Sequence, residues 1–273
     1  MKTVFVIALI GAACAFPKVT ENPQFKRIYV DPLKPISEKV IPRIINGREA
    51  IPHSIPYQAY IIVTGENGRW LCSGSLISPN YVLTAAHCVI DGVSAEVYLG
   101  SHNILQPEST RVIVTSYNLT AHKDYGELFI SNDIGLIKLP TPVELDEDVN
   151  VVSLPGLTAY TNYEGRNARV SGWGLTIGGG TTSQVLMEVN STVISNDLCN
   201  SYYGIVEESQ ICLSGVGGVG PCNGDSGGPL VLGNEQIGIT SYGVLGCPPD
   251  YPSGFTRIAS YLDWIEQHTD LKF

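Results

Sequence analysis

The chain has 273 residues, with 16 Lys and Arg against 26 Asp and Glu, a formal net charge of −10. Residues 1–43 hold seven of the basic and three of the acidic groups, so residues 44–273 carry nine against 23. A nucleic-acid ligand requires a basic footprint and an anionic membrane surface a polybasic one, so both are excluded as partners.

The chain opens on a targeting pattern. Lys2 precedes the apolar run Val4–Ala13, and Ala13-Cys14-Ala15 offers small residues at a cleavage site, which reads as a signal peptide over residues 1–15. The run is only ten residues long, short of the ~20 that span a bilayer. No later apolar run reaches that length, so a secreted, extracellular product is expected. Cysteine usage agrees. Of seven cysteines, Cys14 leaves with the signal, and Cys72, Cys88, Cys199, Cys212, Cys222 and Cys247 remain, an even set suited to an oxidising compartment. None shows C-x-x-C spacing, and six cysteines allow 15 pairings among which spacing cannot choose. Asn118-Leu119-Thr120 and Asn190-Ser191-Thr192 are glycosylation acceptors.

Residues 16–43 are rich in charge and proline (Pro17, Pro23, Pro32, Pro35, Pro42) without helical or strand periodicity, the composition of a flexible extension. From Arg43 the pattern changes to short β-branched or aromatic runs punctuated by Gly, Pro, Asn and Asp. These include Tyr60–Val63, Tyr81–Thr84, Arg111–Thr115, Ile134–Leu139, Ala168–Gly172, Met187–Ile194 and Gln236–Ser241. An all-β sandwich or barrel is predicted. Two helices are expected. Ser195 caps a short one ending near Gly204, and Ile258, Tyr261, Leu262 and Ile265 at i, i+3, i+4, i+7 mark an amphipathic one at about 258–270. Gly215–Gly220 satisfies G-x-G-x-x-G, but Pro221 and Cys222 follow instead of a helix, so it reads as a wall-forming loop and not a dinucleotide site. Gly178-Gly179-Gly180 reads as an exposed loop.

Three segments carry chemistry. Leu83-Thr84-Ala85-Ala86-His87-Cys88 ends an apolar run on a histidine, Asn132-Asp133-Ile134 opens a strand with a carboxylate, and Gly224-Asp225-Ser226-Gly227-Gly228-Pro229 sets a serine in a glycine-rich turn. A serine hydroxyl needs a base to become a nucleophile. Imidazole has the right affinity for the proton near neutrality, and a buried carboxylate holds its tautomer. Glycines let backbone N–H groups approach a developing oxyanion. Any one of these motifs alone is more often a structural histidine, a turn or a tight loop. Together they supply three complementary roles. His53, His102, His122 and His268 lack such context and read as structural or exposed.

From Ile44 to about His268 the chain resembles the trypsin/chymotrypsin family of serine proteases. The matching stretches are Leu-Thr-Ala-Ala-His-Cys, Asn-Asp-Ile and Gly-Asp-Ser-Gly-Gly-Pro. The resemblance implies an all-β fold of two six-stranded antiparallel Greek-key barrels, at about 44–150 and 151–257, with a C-terminal helix. It implies His87, Asp133 and Ser226 as the triad, and Gly224 and Ser226 as the oxyanion hole. It also selects the bridges Cys72–Cys88, Cys199–Cys212 and Cys222–Cys247. The three-bridge set and Gly217–Gly220 resemble arthropod digestive members, especially those of moths. Arg43-Ile44-Ile45-Asn46-Gly47 resembles an activation site. Residues 16–43 are then a propeptide, and cleavage after Arg43 frees an Ile44 ammonium that pairs with Asp225.

The same resemblance places the substrate pocket at Gly220, Asn223, Ser241, Tyr242, Gly243 and Ser253. Trypsin-like members carry an aspartate at the base, where Gly220 stands, so an apolar preference (Phe, Tyr, Leu) is expected. Ser253 keeps elastase-like or collagenolytic specificity open. An enzyme that rejects arginine requires a trypsin-like protease to cut after Arg43. Expected partners are therefore protein or peptide substrates, that activator and protein protease inhibitors. No cofactor or metal is expected. Ser101 stands where calcium-binding members have a carboxylate, and Glu108 alone does not fill a shell of 6–8 oxygens. A non-catalytic adaptor would have lost a triad residue. A cascade protease would carry a cysteine-rich amino-terminal module and a trypsin-like pocket. Neither description fits, so a secreted digestive endopeptidase of the gut lumen is the reading.

Overall fold

The computed structural model describes residues 28–29, 44, 46–128, 130–157, 162–176 and 181–273. The expected signal peptide, Arg43, Gly178–Gly180 and all of the propeptide except Ile28–Tyr29 lie outside these residues.

The first sheet contains β1 (Ile28–Tyr29), β3 (Gln58–Gly65), β4 (Gly68–Ser78), β5 (Tyr81–Thr84), β6 (Gly92–Leu99), β7 (Val112–Ser116), β8 (Asn118–Ala121) and β9 (Gly135–Lys138). Its order is β7-β6-β3-β4-β5-β9-β8, with β1 on β4. Only Tyr117 separates β7 from β8, so the two are halves of one bent strand that closes a six-stranded barrel. The second sheet contains β2 (Arg48–Glu49), β10 (Asn167–Gly172), β11 (Met187–Ile194), β12 (Gln210–Leu213), β13 (Pro229–Leu232), β14 (Glu235–Tyr242) and β15 (Ser253–Arg257). The order β10-β13-β14-β15-β12-β11 is closed by β10–β11 pairing, with β2 outside on β11. Both barrels are antiparallel throughout.

Strand alternation builds the walls. In β6, Ala95, Val97 and Leu99 point inward while Ser94, Glu96 and Tyr98 are half-exposed. In β11, Val189, Ser191 and Val193 are buried, so Asn190 between them faces solvent. Asn118 is likewise exposed, and both glycosylation acceptors are sterically open.

The expected boundary near 44 needs correction. Ile44 is fully buried among Ala168, Val170, Met187 and Ile211 of the second barrel's core, and Arg48–Glu49 pairs with Glu188 and Met187 of β11. The first residues after Arg43 thus belong to the second barrel. Burying an isoleucine side chain there stabilises by ~1.5–3 kcal/mol, which is why the chain crosses over. Conversely, Ile258, Tyr261, Leu262 and Ile265 pack into the first barrel's core, tying the chain's end to its beginning.

The Ser195 cap is present: its hydroxyl accepts from Leu198 N–H at 3.1 Å, and α2 (Asn196–Tyr203) ends on Gly204 at φ 74°. The C-terminal helix is shorter than expected. Ile258–Ser260 forms a 3₁₀ turn, Tyr261 breaks at φ −127°, and α3 covers only Leu262–His268. The apolar spacing survives because a 3₁₀ turn also places i and i+3 on one face. The three disulfides are Cys72–Cys88, Cys199–Cys212 and Cys222–Cys247, closing spans of 16, 13 and 25 residues. Each such short loop stabilises by ~3 kcal/mol.

Candidate active site

Asp133 is fixed by what precedes it. Asn132 adopts φ 55°, a left-handed conformation that asparagine tolerates. Its side chain donates to Asp124 O and accepts from the Tyr261 hydroxyl. This turn delivers the Asp133 carboxylate into the interior, where it is 1 % exposed. Oδ1 accepts from the His87 backbone N–H at 2.9 Å, and Oδ2 lies 2.8 Å from His87 Nδ1. Burial pushes the Asp133 carboxyl up, but the facing His87 and the donors on it outweigh that, and it is held below its ordinary value. An ionised carboxylate therefore faces His87 Nδ1 at neutral pH, which places the neutral ring's proton on that nitrogen and directs Nε2 as acceptor.

His87 sits on α1 (Ala86–Val89), a single turn that follows β5. Its neighbour Cys88 is bridged to Cys72 on β4. The Ser226 turn docks on that bridge. The Ser226 carbonyl accepts from Ser73 N–H at 2.8 Å, and Cys88 Sγ lies 3.5 Å from the same oxygen. The first barrel thus supplies His87 and Asp133 and holds the turn of the second barrel that carries Ser226.

Within that turn, Asp225 N–H donates to Cys222 O, Gly227 N–H to Thr240 O and Gly228 N–H to Asp225 O. Among the described residues, the Gly224 and Ser226 N–H groups have no acceptor. Unsatisfied backbone donors on alternate residues are the kind of group that can take up a developing anion. Gly224 has φ 98°, and a Cβ there would lie 3.0 Å from Leu71 Cδ2 and from Gly174 Cα. Glycine is required on both counts.

Asp225 is fully buried. Its Oδ1 accepts from Gly174 N–H at 2.7 Å and its Oδ2 from Cys222 N–H at 2.9 Å. No cation pairs with it among the described residues. Burial pushes its carboxyl up to about 7, against the lowering effect of those two donors.

The sequence-predicted pocket residues divide. Gly220, Gly243 and Ser253 line one cavity together with Val219, Val244 and Tyr251. A Cβ on Gly220 would lie 3.2 Å from Ser253 Oγ, so these two residues face each other. The cavity between these residues holds about 20 Å³. Asn223 is buried outside this lining; its backbone carbonyl accepts from Leu175 N–H. Ser241 is outside this lining. Its hydroxyl donates to Asp133 Oδ2 at 2.5 Å, and Thr256 donates to the Asp133 carbonyl at 2.6 Å. The Tyr242 side chain is also outside it. It is fully buried, its ring lies directly over Gly254, its hydroxyl meets Gln210 Oε1 at 3.1 Å, and Tyr203 packs edge-on at 5.2 Å. The reason is Gly254: without a side chain on β15, the slot beside it takes the ring.

Sequence reasoning did not reach Ser73 or Thr256, which position Ser226 and Asp133 through single contacts from other strands. Nor did it foresee Arg111. Its guanidinium donates to Ser101 Oγ at 2.9 Å, Asn103 O at 2.6 Å and Glu108 Oε2 at 2.8 Å. Partial burial raises the Glu108 carboxyl, but N–H donation from Asn103 and His102 and the Arg111 charge bring it below its ordinary value. An internal cation therefore occupies the loop's acceptors. His102, read as structural, bonds Glu49 at 2.8 Å.

The family model described as Trypsin matches residues 44–265. A chymotrypsin of Phaedon cochleariae is 43% identical across 97% of this chain and 96% of its own length. A brachyurin of Leptuca pugilator is 42% identical across 84% of this chain and 99% of its own. The solved structure of HL collagenase superposes with a TM-score of 0.77 at 41% identity, over 84% of this chain and 100% of that one. With this coverage, and with two antiparallel barrels meeting at a His–Asp pair and a serine turn, the chain belongs to the trypsin family of serine endopeptidases.

Proposed function

We propose that the chain is a zymogen whose cleaved form, residues 44–273, hydrolyses peptide bonds through Ser226, His87 and Asp133. The observation that carries this is the pair of acceptor-free N–H groups on Gly224 and Ser226 beside the His87–Asp133 pair. Ser226 Oγ attacks the scissile carbonyl carbon while its proton passes to His87 Nε2. The carbonyl oxygen becomes an oxyanion held by the two N–H groups. The tetrahedral species collapses as the C–N bond breaks, and His87 gives its proton to the leaving amine. Water then attacks the Ser226 ester with His87 again as base, releasing the acid and restoring the serine. Asp133 keeps its charge throughout and stabilises the imidazolium.

Activation follows from Asp225. A buried carboxylate without a cation is poorly placed at neutral pH. Cleavage after Arg43 creates an ammonium on Ile44, which is already packed in the second barrel's core. That ammonium pairs with Asp225 and fixes the turn it shares with Gly224 and Ser226. A trypsin-like protease makes the cut, because the pocket offers Arg43 no carboxylate.

Gly220 at the pocket base supports preference for apolar side chains, and likeness to arthropod digestive enzymes supports secretion into a gut lumen. A second reading has its own support. Ser253 faces Gly220 across the cavity, and its added bulk and hydroxyl favour small side chains, an elastase-like or broad specificity. Peptide substrates differing only before the scissile bond decide between them. The trypsin-cleaved chain is expected to cut after Phe, Tyr or Leu at least 100-fold faster than after Arg or Lys. Preference for Ala establishes the second reading, and preference for Arg refutes both.

A further inference from the structure

The outer face of the second barrel carries a cleft that the peptidase reading does not use. It is walled by Arg48, Ile51, Ser54, Asn167, Arg169 and Asn190 and holds about 300 Å³, the scale of sites for small organic ligands. β11 forms its floor. Glu188 on that strand pairs with Arg48 of β2, and Asn190 pairs with Arg169 of β10, so the side chains of all four share one face. The Glu188 carboxylate is fixed between the two guanidiniums, 2.8 Å from Arg48 and 3.5 Å from Arg169. Ile51 is 73 % exposed at the wall.

A lining of this kind suits a sugar. Guanidinium and amide groups bond hydroxyls and an amide carbonyl, and an exposed isoleucine takes up an acetyl methyl. N-acetylglucosamine presents all of these. The wall itself identifies the occupant, because Asn190 opens Asn190-Ser191-Thr192, an acceptor tripeptide for N-linked glycan. Asn190 and Thr192 are exposed while Ser191 between them is buried, so the acceptor amide stands on the cleft side. Arg48 gives the cleft a consequence. It lies five residues past Arg43, its side chain is 75 % exposed, and β2 is the outermost strand of its sheet. A trypsin-like protease that cuts after Arg43 meets a second arginine there. Cleavage after Arg48 would detach residues 44–48, and with them the ammonium that is to pair with Asp225.

We propose that Asn190 is N-glycosylated, that its first N-acetylglucosamine lies in this cleft against Arg48 and Ile51, and that the sugar shields Arg48 from the activating protease. In the secretory compartment the Asn190 amide nitrogen attacks the anomeric carbon of a lipid-linked oligosaccharide diphosphate. The C–N bond forms, the C–O bond to the diphosphate breaks, and the amide proton leaves with the lipid diphosphate. The consequence rests on activation after Arg43, but the sugar and the Arg48 cut are both read by mass and are independent of peptidase activity.

The test uses the full chain secreted from eukaryotic cells. Glycopeptide mass spectrometry is expected to find glycan on Asn190. The chain is then exposed to trypsin, and the amino termini Ile44 and Glu49 are followed over time. Asn190→Gln and Thr192→Ala, which remove the same acceptor through different atoms, are each expected to yield the Glu49 terminus at least tenfold faster than the glycosylated chain. Unsubstituted chain made in a bacterial periplasm, without the sugar, gives the same comparison if a variant fails to fold. Trimming by an endoglycosidase that leaves one N-acetylglucosamine should preserve the protection, since the seated sugar remains. An unmodified Asn190 overturns the proposal, as does equal release of Glu49 from chains with and without glycan. Loss of protection on trimming also overturns it, because a glycan that shields only by its outer branches is not seated in the cleft. A chain that gains the Ile44 terminus and hydrolyses nothing fails the peptidase reading and leaves this one standing.

Discussion

Replacing Asp133 by Asn is expected to lower kcat by about 10⁴-fold while leaving the fold and melting temperature nearly unchanged. The substitution conserves volume, so the packing around a 1 % exposed side chain is kept. What changes is hydrogen-bond polarity. Both Asp133 oxygens are committed as acceptors: Oδ1 to His87 N–H, Oδ2 to His87 Nδ1 and the Ser241 hydroxyl. An amide can satisfy only one side as acceptor. With its oxygen toward the backbone N–H, its NH₂ points at Nδ1 and stabilises the tautomer whose Nε2 carries the proton. That imidazole cannot take the proton of Ser226. Steady-state kinetics with circular dichroism as the folding control measure this, and a loss below tenfold would remove Asp133 from the mechanism.

The second large effect belongs to Asp225. In the uncleaved chain its carboxyl is pushed from 3.8 up to about 7 by burial. The sign follows from proton binding. Between about pH 4 and pH 7 the folded precursor holds a proton there that the unfolded chain has released. Stability is therefore highest at the acidic end of this window and falls as pH rises through about 7. Melting temperatures of an uncleavable Arg43→Ala precursor should drop across the window, and adding Asp225→Asn should flatten that drop. The difference between the two chains isolates this group from other titrations. In the proposed cleaved enzyme the Ile44 ammonium would supply the missing cation. Its pKa starts near 8 and is raised by pairing, so the active form is complete below its unpaired value and is lost as pH rises through the paired one. Cleaved Asp225→Asn should retain less than 1 % of activity. Unchanged activity, or identical melting profiles of the two precursors, would contradict the activation scheme.

Much of this was legible in the sequence because it is local. Ser195 and Gly204 bracket a helix with their own side-chain and backbone preferences. β5 and β11 coincide with the runs Tyr81–Thr84 and Met187–Ile194, since alternation and β-branching act within a strand. His87, Asp133 and Ser226 stood out because each sits in a short motif with its own chemistry. What the sequence does not show has a common origin in contacts between distant strands. Tyr242 reads as a pocket residue, and the slot that buries its ring is opened by a glycine twelve residues later on a neighbouring strand. Ser241 also reads as a pocket residue, and its hydroxyl bond to a carboxylate 108 residues away has no local signal. The Ile44 and Arg48–Glu49 segment was placed with the first barrel because it precedes it, whereas apolar burial carries it to the second. The pairing of Ile28–Tyr29 with β4 had no periodic signal, because a two-residue ladder is too short to show one.

Ser226 is proposed to become a nucleophile only after cleavage following Arg43. This is tested most directly by exposing cleaved and uncleaved chain to a serine-directed fluorophosphonate and locating the adduct by peptide mass spectrometry. One adduct on Ser226, formed far faster in the cleaved chain and abolished by His87→Ala, is the predicted result. Labelling at another residue, or at equal rates in both forms, would contradict it.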